Sequence, residues 1–175
     1  MLDSALLVVM VVGFAWGCVV VHEYGHFITG RLVGVPAGHL KVVMASPPHT
    51  ALKDGGQWRS PDDELFIPVF RRHCGSLGKA WWFIAGGFVI ETAVTTAGCV
   101  ALILVGQSWV AVSWASTSLA IYLLYVIADA MLSWRRRSPY GDVTSMWHLN
   151  RIGSVAFLLM VVAVKSAMVA GAVSV

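Results

Sequence analysis

Val19-Val20-Val21-His22-Glu23-Tyr24-Gly25-His26-Phe27 closes an unbroken apolar run that begins at Ala5. The stretch has the form H-E-x-x-H. Residues four apart on a helix lie about 40° apart around its axis, so His22 and His26 project from one face. Two imidazoles placed so can fill two corners of a zinc tetrahedron, and Glu23 stands beside them as a candidate base for a zinc-bound water. Soluble zinc proteases carry this pattern on an amphipathic helix. Here it ends a segment long enough to enter a bilayer.

The composition agrees with that setting. Of 175 residues, 58% are hydrophobic and 12% charged, with a mean hydropathy of +0.76. A soluble domain carries about 25% charged residues, so the expectation is a polytopic α-helical membrane protein forming one domain over 1–175. The net charge of +3 is small and scattered, which argues against nucleic acid as a partner. Cys18, Cys74 and Cys99 form no C-x-x-C pair and imply no disulfide framework. The N-terminal run lacks a basic n-region and a small-x-small cleavage site, so it reads as a retained transmembrane helix.

Four segments can span a hydrocarbon core, which needs about 20 apolar residues each. They cover about 4–30, 79–105, 109–134 and 152–171, with Asp3 or Ser4 as cap of the first. Arg31, Lys41, Lys53, Arg59, Arg71, Arg72 and Lys79 lie in the loop after the first segment. Arg135, Arg136, Arg137 and Arg151 lie between the third and fourth. The positive-inside rule makes both loops cytoplasmic and both termini external. The motif then lies towards the cytoplasmic end of its helix in a multi-pass protein of the cell membrane. The 31–78 loop carries β character at His39–Met44 and Leu65–Phe70, separated by turn signals, and predicts a small hairpin or sheet.

Ionisable residues inside a membrane are costly and suspect of function. A catalytic zinc takes three protein ligands and an open position, and the residues leave Asp142, Asp129, Glu91 and His148 as candidates for the third. Asp129 can instead be a buried carboxylate paired with an arginine of 135–137. Asp142 can cap a helix, and Glu91 can be a hydrogen-bonded packing residue. Lys165 can snorkel outward or pair with a helix carboxylate. His39, His49 and His73 read as surface residues of the loop.

At this point the chain resembles the site-2 protease family of intramembrane zinc metalloproteases, in a small form without appended domains. The resemblance rests on His22-Glu23-Tyr24-Gly25-His26 at the end of a hydrophobic helix and on the exit Gly30-Arg31-Leu32-Val33-Gly34-Val35-Pro36. Ala85-Gly86-Gly87-Phe88-Val89-Ile90 is similar to the family's Ala-Gly-Pro-x-x-Asn, with Gly87 for proline and Ile90 for asparagine. Pro139-Tyr140-Gly141-Asp142 is the counterpart of its third-ligand aspartate, with Val143 where glycine is usual. The resemblance implies Zn2+ held by His22, His26 and Asp142, Glu23 as general base, and cleavage of a transmembrane protein substrate, with a regulatory membrane protein as a further partner. Depth supports Asp142. Pro139 and Gly141 break the helix at the membrane edge, whereas Asp129 lies about 12 Å deeper and Glu91 near mid-membrane. An edge strand at Leu65–Phe70, interrupted by Pro68, would hold an unwound substrate by β-addition. Two alternatives remain: a membrane gluzincin with Glu91 as third ligand, and a non-catalytic metal-binding scaffold.

Overall fold

The structure, a computed structural model, describes residues 4–174. Four long helices form the body: α1 (Ser4–Leu32), α3 (Leu77–Leu104), α4 (Ser108–Arg136) and α6 (Arg151–Val173). Each is long and apolar enough to cross a membrane. Their ends fall within two residues of the expected ones. Asp3 lies outside the described residues, and Ser4 is already helical. Two shorter helices, α2 (Phe66–Cys74) and α5 (Asp142–Leu149), flank the bundle, and a three-stranded sheet occupies the loop after α1.

The sheet is antiparallel in the order β1 (Leu40–Val43), β2 (His49–Asp54), β3 (Gln57–Arg59). Asp54 pairs with Gln57, leaving Gly55 and Gly56 as a two-residue turn with φ of 53° and 95°. A type I′ turn needs positive φ at both places, which glycine supplies without strain. Leu40 faces Leu52 across the ladder. Both are buried and join Val35 and Phe83 in the main core, fastening the sheet to the C-terminal end of α1.

Leu65–Phe70 is not a strand. Phe66–Cys74 forms α2, so the expected edge strand for substrate does not exist there. Its residues favour strands singly, but the buried ones, Val69, Phe70 and Cys74, with Phe66 packed beside them, follow helical spacing. The Phe66 and Phe70 rings stack with 6.2 Å between centroids. Pro68 sits in the first turn, where a missing N–H costs no intrahelical bond. Gly75 ends the helix in the left-handed conformation, φ 68°, as a C-terminal glycine commonly does.

Helices α1 and α3 approach through glycine. A Cβ on Gly25 would stand 2.4 Å from the Gly86 carbonyl oxygen, and one on Gly86 would collide with Thr29. Small residues permit this backbone contact between apolar helices. Farther from the site, Lys165 of α6 is wholly buried and donates to Glu91 of α3 and Ser118 of α4. Glu91 also accepts from Ser118 at 2.8 Å and Thr95 at 3.1 Å. Of the two fates open to Lys165, pairing is the one adopted. All three cysteines are free and buried.

Candidate metal centre

Helix α1 brings His22 and His26 to one face, as their spacing requires, and α5 carries Asp142 to meet them. Asp142 Oδ2 lies 2.9 Å from His22 Nε2 and 3.1 Å from His26 Nε2, and the two Nε2 atoms are 3.1 Å apart. Among the described residues this is the one group of three or more His, Cys, Asp or Glu side chains with converging ligand atoms. Glu91 lies in the separate Lys165 cluster, and His148 is exposed on α5.

The chemistry of the donors tests what they can hold. His26 Nδ1 is 3.1 Å from the Phe83 carbonyl oxygen. A carbonyl can only accept, so Nδ1 carries a proton, and Nε2 is the ring atom turned towards the other two groups. Two ring nitrogens and a carboxylate oxygen this close need a positive centre shared among them, a proton or a metal ion. Two imidazoles and a carboxylate are a donor set zinc accepts, and an Nδ1–H bonded to backbone is the usual outer support of a ligating histidine. The residues fit the ion.

Glycine makes room for the rings. A Cβ on Gly87 would lie 2.6 Å from His22 Nε2 and 2.8 Å from His26 Cε1. A side chain there would enter the space the imidazoles occupy, which accounts for glycine at this place in α3. Phe88 stands edge-on to His22 at 4.6 Å and Phe83 stacks on His26 at 5.9 Å between centroids, so the cluster has aromatic walls. The Asp142 side chain keeps 25% of its surface exposed, against 7% for His26, so the opening lies on the aspartate side. Burial works against charge on Asp142, and the neighbouring His26 and His22 imidazoles outweigh it. They hold its carboxyl well below the usual carboxylate range.

Glu23 lies outside the donor triangle. Its Oε2 accepts from Thr50 Oγ1 at 3.0 Å, and the same hydroxyl reaches the Glu23 main-chain oxygen at 3.0 Å. The sheet thus touches the motif through one buried threonine. Nothing in Pro48-His49-Thr50 marks this role, because the contact joins residues 27 apart in the chain.

Asp129 differs from expectation. It is buried on α4, yet its partners are the backbone N–H groups of Gly141 and Thr144 and the hydroxyls of Ser133 and Thr144, with no arginine among them. Tyr125, one turn earlier, accepts the Asp142 N–H. An aromatic and an acid four apart on an apolar helix was the available signal for this pair. His49 bonds Ser60 Oγ at 2.8 Å and His73 the Lys53 carbonyl at 3.2 Å. His39, His49 and His73 are half-buried in the loop, away from the cluster.

Comparisons with protein-family models, with curated proteins and with solved structures return no match to this chain.

Proposed function

We propose that the protein is an intramembrane zinc metalloprotease of the site-2 protease type, hydrolysing a peptide bond in or near a transmembrane segment of its substrate. The observation that carries this reading is the convergence of His22, His26 and Asp142, which come from two helices 116 residues or more apart in sequence, with Glu23 beside them on the chain. His22, His26 and Asp142 would hold the ion. Bound there, zinc supplies a Lewis acid that polarises a carbonyl and lowers the pKa of water. Glu23 takes the proton from the attacking water and returns it to the departing amide nitrogen. Thr50 holds the carboxylate that does so. The open flank at Asp142 gives water a way in.

The bilayer reading rests on the four long apolar helices and their exposed surface. Leu6, Val8, Val9 and Val12 of α1, Leu104 of α3 and Leu124 of α4 all face outward, which suits lipid. A substrate helix must unwind before its carbonyls are accessible. By the positive-inside rule the basic loops support a site towards the cytoplasm and both termini outside. Single cysteines introduced at residue 58 and at residue 107 should label from opposite sides of the membrane, residue 58 only from the cytoplasm. Labelling of both from one side would refute the layout. The native thiols stay silent in such an assay, since all are buried and burial pushes Cys74 up to about 11.

The direct test is metal content with cleavage. The purified protein should carry about one zinc and cleave single-span substrates in membranes. His22→Ala and Asp142→Asn should lose most of the zinc together with cleavage. Full zinc content in both variants, by elemental analysis, would sink the assignment. The gluzincin alternative lacks geometry, since Glu91 is held by Lys165, Ser118 and Thr95.

A further inference from the structure

Helix α5 starts at Asp142, and its N-cap is Gly141, which has no side chain to cap it. The first N–H groups of a helix lack intrahelical partners, and a Ser, Thr, Asp or Asn at the cap ordinarily accepts one. Here that remedy is sterically closed. A Cβ on Gly141 would lie 2.8 Å from both Asp129 Cγ and the Tyr125 hydroxyl oxygen.

The acceptors come from α4 instead. Asp129, 3% exposed, takes the Gly141 N–H on Oδ1 at 2.9 Å and the Thr144 N–H on Oδ2 at 2.9 Å. These are the N-cap and third-residue donors that a capping box within one chain segment satisfies with two side chains. One remote carboxylate serves both. Its Oδ1 is fixed in turn by Ser133 Oγ at 3.0 Å and Thr144 Oγ1 at 2.7 Å. Of the two N–H groups between them, that of Asp142 itself goes to the Tyr125 hydroxyl at 2.9 Å. The backbone on both sides of Asp142 is thereby tied to one face of α4.

We propose that Asp129 and Tyr125 form a clasp that positions the Asp142 carboxylate against His22 and His26, making them positioning residues of the metal centre. The inference rests on the proposed function for what the centre holds, and on geometry alone for the clasp. Outer-shell partners of this kind typically change metal affinity 10–100-fold. Asparagine at 129 keeps the shape but leaves one acceptor oxygen for several donors, and turns an NH2 group towards them. Phenylalanine at 125 keeps the ring and removes the hydroxyl, and with it the acceptor for the Asp142 N–H.

The test uses the full chain in detergent. Zinc affinity is measured by chelator competition, the visible spectrum of the Co2+-substituted protein is recorded, and amide exchange is followed at Gly141, Asp142 and Thr144. Asp129→Asn should weaken zinc about 10–100-fold, alter the Co2+ bands and speed exchange at Gly141 and Thr144. Tyr125→Phe should move all three readouts in the same direction by less, with exchange faster at Asp142. Its helix content and unfolding midpoint should stay near the parent's, so it decides the matter if Asp129→Asn misfolds. Unchanged affinity, spectrum and exchange in Tyr125→Phe and in any folded Asp129→Asn overturn the proposal. Failure of the function it rests on looks different: the parent itself then binds no zinc, and the clasp stands or falls on amide exchange in the same two variants.

Discussion

Glu23→Gln is expected to lower substrate cleavage by about 10²–10⁴-fold, the usual contribution of a positioned base, with zinc still near one per chain. The substitution is nearly isosteric. Its carbonyl oxygen can keep the Thr50 hydrogen bond that Glu23 Oε2 now accepts at 3.0 Å, so the sheet and α1 stay joined. What disappears is the ability to take a proton from water. The three proposed ligand atoms come from His22, His26 and Asp142, and none is touched by the change. Elemental analysis beside a membrane cleavage assay reads both quantities. Zinc lost in proportion to activity would make Glu23 a ligand. Undiminished cleavage would remove it from the mechanism, and a parent without cleavage but with zinc would favour a metal-binding scaffold.

Breaking the Lys165–Glu91 pair is the second large effect. Lys165 is 0% exposed and Glu91 6%, and the pair joins α6 to α3 with Ser118 of α4 between them. Lys165→Met leaves a buried carboxylate with neutral donors only, while Glu91→Gln leaves a buried ammonium without its counter-charge. Removing one partner of a buried pair costs about 3–5 kcal/mol, whereas replacing both is often neutral or stabilising. Each single variant should therefore unfold at a clearly lower temperature in detergent, and the double variant Glu91→Gln/Lys165→Met should recover most of the loss. Additive losses in the double variant would show that the two residues act separately. The cluster is separate from the metal centre, so zinc content per folded chain should be unchanged in all three.

What the sequence made legible follows from which signals are local. Long apolar runs mark α1, α3, α4 and α6 because nearly every residue within them votes the same way. His22 and His26 are readable because both lie on one helix at a spacing chemistry uses. Asp142 emerges from Pro139 and Gly141, which break the chain just before it. Signals that arise only on packing were out of reach. Glu91 and Lys165 each raised two readings, and their union depends on how α3 meets α6, 74 residues along the chain. Asp129 stood near three arginines in sequence, yet the fold offers it bare N–H groups of α5 instead. Leu65–Phe70 misled for another reason. Its residue types favour strands, and only the set of buried positions reveals the helix.

The glycine contact between α1 and α3 also says what the site is measured against. At 29 and 28 residues, these helices run to roughly 43 Å, longer than the hydrocarbon core of about 30 Å. A bundle of that length in a thinner or thicker bilayer tilts, or lets its ends adjust, at fractions of a kcal/mol per Å of mismatch. Sliding α1 along α3 is a different matter, because Gly25 faces the Gly86 carbonyl with no room even for a methyl group. With the helices spanning a bilayer as proposed, lipid thickness should therefore change how the whole bundle leans and leave the register of His22 and His26 against Gly87 untouched. The histidines are indexed to a neighbouring backbone and not to the membrane surface, so the centre travels with the bundle as a rigid insert.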